Sequence, residues 1–134
     1  MLRRHLDQIV ALMGGGTLVF GVVPSLAPRW FGRMFDIPVD TDPRLLVMVR
    51  SVGIRDAAIG IGLIVTAMQH RGYAPWLMAR VAADAGDSLA VAVAIGAGAR
   101  QPRFVALGLL ALGATLTGLT LHRLASRRSL TFER

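Results

Sequence analysis

The sequence contains no cysteine and no lysine, and charged residues of any kind are scarce. Without cysteine the chain can form no disulfide, thiol nucleophile, iron–sulfur cluster or cysteine-ligated zinc site. Charged residues make up 17% of the 134 residues and hydrophobic residues 54%, whereas a soluble domain is about 25% charged and about 45–50% apolar. So apolar a composition excludes a disordered chain and a highly charged binding tail.

The apolar residues fall into four long segments, at about 9–26, 45–68, 76–99 and 104–121. A helix of about 20 residues spans the roughly 30 Å hydrocarbon core of a bilayer. The first and last segments contain no charged residue, and each middle segment contains three. We therefore predict an all-α integral membrane four-helix bundle, formed by a single membrane domain of residues 1–134.

Prolines and an aspartate mark the ends of these segments. Asp42 followed by Pro43 is typical of an N-cap and the first position of a helix. Pro24 and Pro28 predict the end of the first helix. Residues 29–35 follow as an amphipathic stretch, which predicts a short interfacial segment after the first helix.

Two alternatives use the same segments differently. A soluble four-helix bundle would need a polar stripe along every helix, and the first and last segments have none beyond threonine and serine. In the second alternative the first segment is a cleaved signal peptide, with a basic start and Ser25-Leu26-Ala27 resembling a cleavage site. The glycines Gly14–Gly16 favour a retained, closely packed helix instead.

The arginines between the segments bear on orientation, because cytoplasmic loops carry an excess of basic residues. With four spans, one side holds the termini and the second loop, with Arg3, Arg4, Arg71, Arg123, Arg127, Arg128 and Arg134; the other holds Arg29, Arg33, Arg44, Arg100 and Arg103. This favours cytoplasmic termini in a bacterial inner membrane, with arginines near anionic lipid headgroups. No nucleic-acid partner is expected, because the arginines do not cluster on one face.

Charged residues inside the two middle segments are the most informative feature. An arginine or aspartate at the centre of a membrane helix costs about 2.5–3.5 kcal/mol, so these side chains must face one another, a cavity or a partner. At about 100° per residue, Arg80, Asp84 and Asp87 share one helix face. On the preceding segment Asp56 lies on a face of small residues that includes Gly53 and Gly60 and is suited to helix packing.

The position of each charge along its helix refines this expectation. Arg55, Asp56 and Asp87 lie at similar depth near mid-membrane, whereas Arg50 lies near the membrane surface, where its side chain can snorkel. Because Arg55 projects about 100° away from Asp56, we do not expect the two to pair directly. Without Arg50, three carboxyl groups face two guanidinium groups, which stay charged and bind carboxylates bidentately.

These charges define the candidate site and leave several functions open. Asp56, Asp84 and Asp87 are candidate catalytic acids or bases, and Arg50, Arg55 and Arg80 are candidate ligand-binding residues. A polar pocket for a lipophilic small molecule would suit a cofactor-free isomerase or cyclase. The alternatives are a purely structural ion network, an accessory subunit of a larger membrane complex, and a proton-coupled transporter, with homo-oligomerisation open in each case.

Other motifs are absent. There is no phosphate-binding loop, dinucleotide fingerprint, nucleophile elbow or zinc-protease pattern. His5, His70 and His122 are scattered over the segment ends, which does not favour a metal site. We therefore expect neither a cofactor nor a metal.

The stretch Arg50-Ser-Val-Gly53-Ile-Arg55-Asp56-Ala-Ala-Ile-Gly60 resembles a motif that opens the second helix of a membrane protein family, domain of unknown function 4267. The resemblance extends to the acidic pair of the third segment and to the chain length. Related small families of the DoxX-like kind share the general layout. The resemblance implies a four-span bundle with a polar site on the second and third spans, and it implies no settled biochemical function.

Overall fold

A computed structural model describes residues 2–70 and 72–129, with side chains from 4 to 70 and from 72 to 126. These ranges form five helices and no strand: α1 (Leu2–Leu26), α2 (Pro28–Met34), α3 (Pro43–Met68), α4 (Ala74–Gly96) and α5 (Pro102–Ser129). The predicted all-α class is therefore confirmed. The four predicted segments correspond to α1, α3, α4 and α5, and the predicted interfacial segment corresponds to α2.

The helix starts follow the local signals in the sequence. The Asp42 side chain accepts a hydrogen bond from the Arg44 backbone N–H at 2.8 Å, and Pro43 is the first residue of α3. The first helix ends at Leu26, between the two predicted prolines and at the predicted end of the first segment, with Pro24 inside α1 and Pro28 at the start of α2. Proline removes one backbone donor without stopping the chain from continuing to Leu26.

α1 and α3 pack against each other as an antiparallel pair with glycine at the contact. A methyl group added at Gly60 would come within 2.8 Å of the Gly14 carbonyl oxygen. One added at Gly53 would come within 2.6 Å of the Gly21 carbonyl oxygen. The predicted small-residue face of α3 is thus a helix contact. Among the three consecutive glycines in α1, a Cβ added at Gly14 would meet α3, whereas no atom lies within 4 Å of a Cβ added at Gly15 or Gly16.

α4 and α5 form a second antiparallel pair. Gly108 lies against the Val91 side chain, and Gly118 lies against the Val81 side chain. The two pairs meet where the indole of Trp76 on α4 packs on Gly62 of α3. An apolar core fills this end of the bundle, with Leu6, Val10, Leu63, Leu77 and Leu121 buried.

The opposite end is closed by α2 and the loop that follows it. Phe31 of α2 and Phe35, the C-cap residue that follows α2, pack together with Phe20 of α1, with ring centroids 4.9–6.2 Å apart. Val39 of the loop is buried in the same cluster and contacts Gly32 of α2. α2 therefore lies over the ends of α1 and α3 and is packed against them.

The outer surface of the helices is apolar and part of the interior is charged. Large hydrophobic side chains are exposed along the long helices, for example Leu12, Val19, Val47, Ile54, Leu89, Val93, Leu109 and Leu116, whereas Asp56, Arg80 and Asp84 are buried. Three helices, α1, α3 and α5, are long and apolar enough to cross a membrane. This pattern indicates a membrane protein.

Some of the arginines on which the predicted membrane orientation rests are not among the residues that the structure describes. Arg71 and Arg134 lie outside the described residues, as do the side chains of Arg3, Arg127 and Arg128. The orientation with cytoplasmic termini rests partly on these arginines and stays a prediction.

Candidate functional site

Arg55 connects two aspartates on different helices. Its Nη1 and Nη2 atoms donate to the two carboxylate oxygens of Asp87 on α4, at 3.1 and 2.6 Å. Its Nε and Nη2 atoms also donate to Oδ1 of Asp56 on α3, at 3.0 and 2.9 Å. The planar guanidinium group thereby bridges α3 and α4 in the middle of the bundle.

The prediction that Arg55 and Asp56 do not pair is wrong. Their Cβ atoms do point in different directions on the helix, as helical periodicity requires. The arginine side chain is long enough for the guanidinium group to reach both Asp56 and Asp87 from that starting direction. The position of Asp87 on the neighbouring helix determines where the guanidinium group of Arg55 lies. The spacing of residues within α3 contains no information about the position of Asp87.

Arg80 continues the network on the other side of Asp56. Its Nε atom lies 2.7 Å from Oδ2 of Asp84, one turn further along α4, and its Nη1 atom lies 3.7 Å from Oδ2 of Asp56. The ionisable groups therefore alternate in the order Asp87, Arg55, Asp56, Arg80, Asp84, which we call the ion network. It contains one more carboxyl group than guanidinium groups.

The two ends of the ion network differ in burial. The Asp56 and Asp84 side chains are each 4% exposed and the Arg80 side chain 10%, whereas Arg55 and Asp87 are about one-third exposed. Burial of a charged group is expensive unless it is paired and hydrogen-bonded. The Arg80–Asp84 end therefore depends most strongly on its partners.

Hydrogen bonding is incomplete at this buried end. Arg80 Nε and Nη1 and Asp84 Oδ2 are buried and have no hydrogen-bond partner within the described residues. The 2.7 Å separation of Arg80 Nε and Asp84 Oδ2 is an ionic contact in which the N–H bond is not directed at the oxygen. Both groups thus retain capacity to bind a polar group from outside the network.

A cavity of about 430 Å³ lies beside the ion network, between the two helix pairs. Its charged lining consists of Asp56, Arg80, Asp84 and Asp87, while Arg55 lies outside the lining. The apolar lining comes from all five helices and includes Phe20, Phe31, Val49, Val91 and Leu107. The cavity is therefore amphipathic, with a small ionic region in an apolar wall.

The positions along the helices show where the ionic region lies. On α3 the lining runs from Leu45 to Asp56, and on antiparallel α4 it runs from Val91 back to Arg80. Asp56 and Arg80 therefore mark the end nearer the turn between α3 and α4. Leu45 and Val91 mark the end nearer α2. A molecule in the cavity would meet charge at one end and hydrocarbon at the other.

The structure brings together five of the six predicted site residues. Arg50, the sixth, is exposed on α3, is absent from the cavity lining and forms no salt bridge in the part of the chain that the structure describes. Snorkelling of this side chain to the membrane surface stays a prediction.

Thr17, Phe20, Phe31 and Phe104 line the cavity and were not among the predicted site residues. The Thr17 hydroxyl donates to the Met13 carbonyl at 2.8 Å, so its donor is already used within α1. A helical-face analysis of α1 would have grouped Thr17 with Phe20. No sequence signal places α2 over the same cavity.

A second polar contact lies at the other end of the helices. Asp7 of α1 is buried, and its Oδ2 atom lies 2.8 Å from Nδ1 of His70, which follows α3. His70 is therefore not simply a solvated histidine at a segment end. This contact ties the start of α1 to the turn between α3 and α4.

Within the described residues there is no group of three or more histidine, cysteine, aspartate or glutamate side chains that could hold a metal ion. The three aspartates of the ion network are separated by the two arginines. Hydrogen-bond acceptors, hydrogen-bond donors and a proton-accepting carboxyl group are thus the chemical groups that the cavity offers.

Comparison with protein-family models, with curated proteins and with solved structures found no match to this chain. The resemblance to the family of domain of unknown function 4267 therefore stays a prediction.

Proposed function

We propose that this protein is an integral membrane four-helix bundle whose interior cavity binds a lipophilic small molecule. The observation that carries the proposal is the cavity itself, which combines an apolar wall with buried, incompletely hydrogen-bonded charged groups. Small-molecule sites have volumes of about 300–1,000 Å³ and a few polar groups in a mostly apolar lining. The cavity of about 430 Å³ fits this description.

In this proposal α4 crosses the membrane in addition to α1, α3 and α5. Its 23 residues would extend about 35 Å at the helical rise, which matches a bilayer. Its three charged side chains, Arg80, Asp84 and Asp87, all belong to the ion network and none needs to face lipid. This pairing removes the main objection to burying α4 in a membrane.

The same pairing favours a binding protein over an accessory subunit. A subunit that used its intramembrane charges to dock on a partner would present them unpaired at its surface. Here each charged group of the ion network has an opposite charge within the chain. A partner protein is not needed to pair them, while the cavity still gives a ligand access to Asp84.

Acid–base catalysis is the reaction type that this cavity supports best. A carboxylate at Asp84 could take a proton from one carbon of a bound ligand and return it to another, which is an isomerisation without a cofactor. Arg80, 2.7 Å from Asp84, would orient the ligand by donating a hydrogen bond to its carbonyl oxygen. Asp56 and Asp87 accept hydrogen bonds from Arg55 and hold the network in place.

Binding is tested with a photoreactive twelve-carbon alcohol that carries a diazirine in its tail, added to the protein in lipid nanodiscs. We expect saturable crosslinking to cavity residues, identified by mass spectrometry. Ala111→Trp should abolish it by filling the cavity, because Ala111 is in the lining. Ala106→Trp, on the exposed surface of the same helix, is the matched control and should retain crosslinking. Labelling that does not saturate, or that is equal in both variants, would refute the proposed binding site.

Catalysis is tested separately with a lipophilic β,γ-unsaturated ketone, whose isomerisation to the conjugated ketone is followed by ultraviolet absorbance. We expect Asp84→Asn to lose the activity while the folded variant still crosslinks the alcohol probe. If the wild-type protein binds the alcohol probe but the ketone isomerises only at the uncatalysed rate, the proposed reaction is rejected and the proposed binding function stands.

A further inference from the structure

The charged groups that face the cavity are not balanced. Three carboxyl groups, those of Asp56, Asp84 and Asp87, line it together with a single guanidinium group, that of Arg80. The second guanidinium group, that of Arg55, lies outside the lining and is engaged in hydrogen bonds to Asp56 and Asp87. A molecule in the cavity therefore meets a predominantly acidic surface.

On this basis we infer that the ligand of the proposed cavity is a lipophilic cation, such as a protonated amine with an apolar body. The inference rests on the proposed function, because it names the chemical class that the same cavity would bind. A cation there would balance the carboxyl group that exceeds the guanidinium groups of the ion network. Its apolar body would lie against the wall that includes Phe31, Val91 and Leu107.

Asp84 supplies the independent observation that points to a ligand. It is 3% exposed, and its Oδ2 atom is buried without a directed hydrogen bond. Asp84 also lines the cavity, so an ammonium N–H there could donate to its carboxyl group, and such charge-assisted bonds are stronger than neutral ones.

The unused donors of Arg80 raise the opposite possibility, an anionic ligand. Arg80 Nε lies 2.7 Å from Asp84 and Nη1 lies 3.7 Å from Asp56, so carboxyl groups lie on both sides of the guanidinium group. A carboxylate ligand close enough to bind Arg80 would approach both aspartates. Repulsion between these like charges would be strong in an apolar cavity, which favours the cation.

The experiment compares three diazirine probes with the same twelve-carbon tail, ending in an amine, an alcohol or a carboxylate. In wild-type nanodiscs we expect the amine to half-saturate at least about tenfold lower in concentration than the alcohol, as a charge-assisted hydrogen bond implies. The carboxylate should bind more weakly than the alcohol. Equal or tighter binding of the carboxylate would overturn the inference.

Two variants assign the preference to the site. Asp84→Asn should reduce the advantage of the amine over the alcohol. If that variant does not fold, Asp87→Asn is used instead and should also reduce this advantage. Asp36→Asn, in the exposed loop outside the cavity, should retain the full preference. Saturable alcohol binding without preference for the amine would reject the inference and leave the proposed function standing. Absence of saturable binding by every probe would reject both.

Discussion

Arg55 on α3 binds both carboxylate oxygens of Asp87 on α4, at 3.1 and 2.6 Å, while it also binds the adjacent Asp56. One side chain thereby holds two aspartates that would otherwise repel each other inside an apolar bundle. Asp87 lines the cavity and Arg55 lies outside it. The arginine is thus positioned to maintain the shape and charge of the cavity wall without contacting a ligand.

Replacement of Arg55 by glutamine should destabilise the protein. Asp87 would lose its charged partner and Asp56 would keep only Arg80, at 3.7 Å. Leaving such groups without their hydrogen bonds costs about 1–3 kcal/mol, and the partial exposure of Arg55 keeps the loss in this range. The midpoint of unfolding in a denaturing detergent titration, followed by circular dichroism, measures the effect. Arg50→Gln is the matched control on the same helix and should change stability by less than about 0.5 kcal/mol. Equal losses in both variants would contradict the assigned role.

Replacement of Arg80 by methionine should be more damaging. Breaking a buried ion pair by removing one partner costs about 3–5 kcal/mol, and Asp84, the partner left behind, is 4% exposed. Adding Asp84→Leu should restore most of the lost stability, because replacing the whole pair by apolar residues removes the stranded charge. The same unfolding titration tests both variants, and a double variant no better than the single one would argue against a stranded carboxylate.

The contact between α1 and α3 predicts opposite outcomes at neighbouring glycines. In Gly14→Ala the new Cβ would lie 2.9 Å from the Leu63 Cβ atom, so the helices must separate, and such overpacking costs about 1–3 kcal/mol. In Gly15→Ala no atom lies within 4 Å of the new Cβ, and the better helix propensity of alanine should make the change neutral or slightly stabilising. Thermal melts of the two variants in the same detergent measure the difference. A loss of stability in Gly15→Ala comparable to that in Gly14→Ala would exclude this packing.

The four-span topology can be tested because the chain has no cysteine of its own. Gln69, which caps α3 before α4, and Gln101, which precedes α5 after α4, are both exposed, and each can be replaced by a single cysteine. If α4 crosses the membrane with the termini in the cytoplasm, a membrane-impermeant maleimide will label Gln101→Cys in intact cells. Gln69→Cys will be labelled only after the membrane is opened. Labelling of both from the same side would show that α4 does not span.

The elements of this fold are local in origin and were largely predictable. The four apolar segments coincide with α1, α3, α4 and α5, and the Asp42-Pro43 start of α3 is seen as predicted. The shared face of Arg80, Asp84 and Asp87 follows from helical periodicity, since the angle between residues on one helix is fixed by backbone geometry. The six predicted site residues therefore included the five that form the ion network.

The pairing within the network could not be derived in the same way. Arg55 was expected to avoid Asp56 because their Cβ atoms diverge, yet the guanidinium group reaches both Asp56 and Asp87. Likewise, Phe31 of α2 lines the cavity because a loop places α2 over the bundle, and the sequence contains no signal for that placement. The conformation of a long side chain or a loop depends on contacts with residues that are distant in the sequence.

Scarcity of charge and the four long apolar segments thus determined, by themselves, an apolar helical protein that must pair its few interior charges. Tertiary structure decided which charges meet. The glycine contacts of Gly14 and Gly21 draw α1 onto α3, α4 brings Asp87 to Arg55, and a cavity remains between the two helix pairs with three carboxyl groups and one guanidinium group in its wall. Composition and periodicity act within a segment, whereas the charge that faces a cavity depends on how separate helices pack.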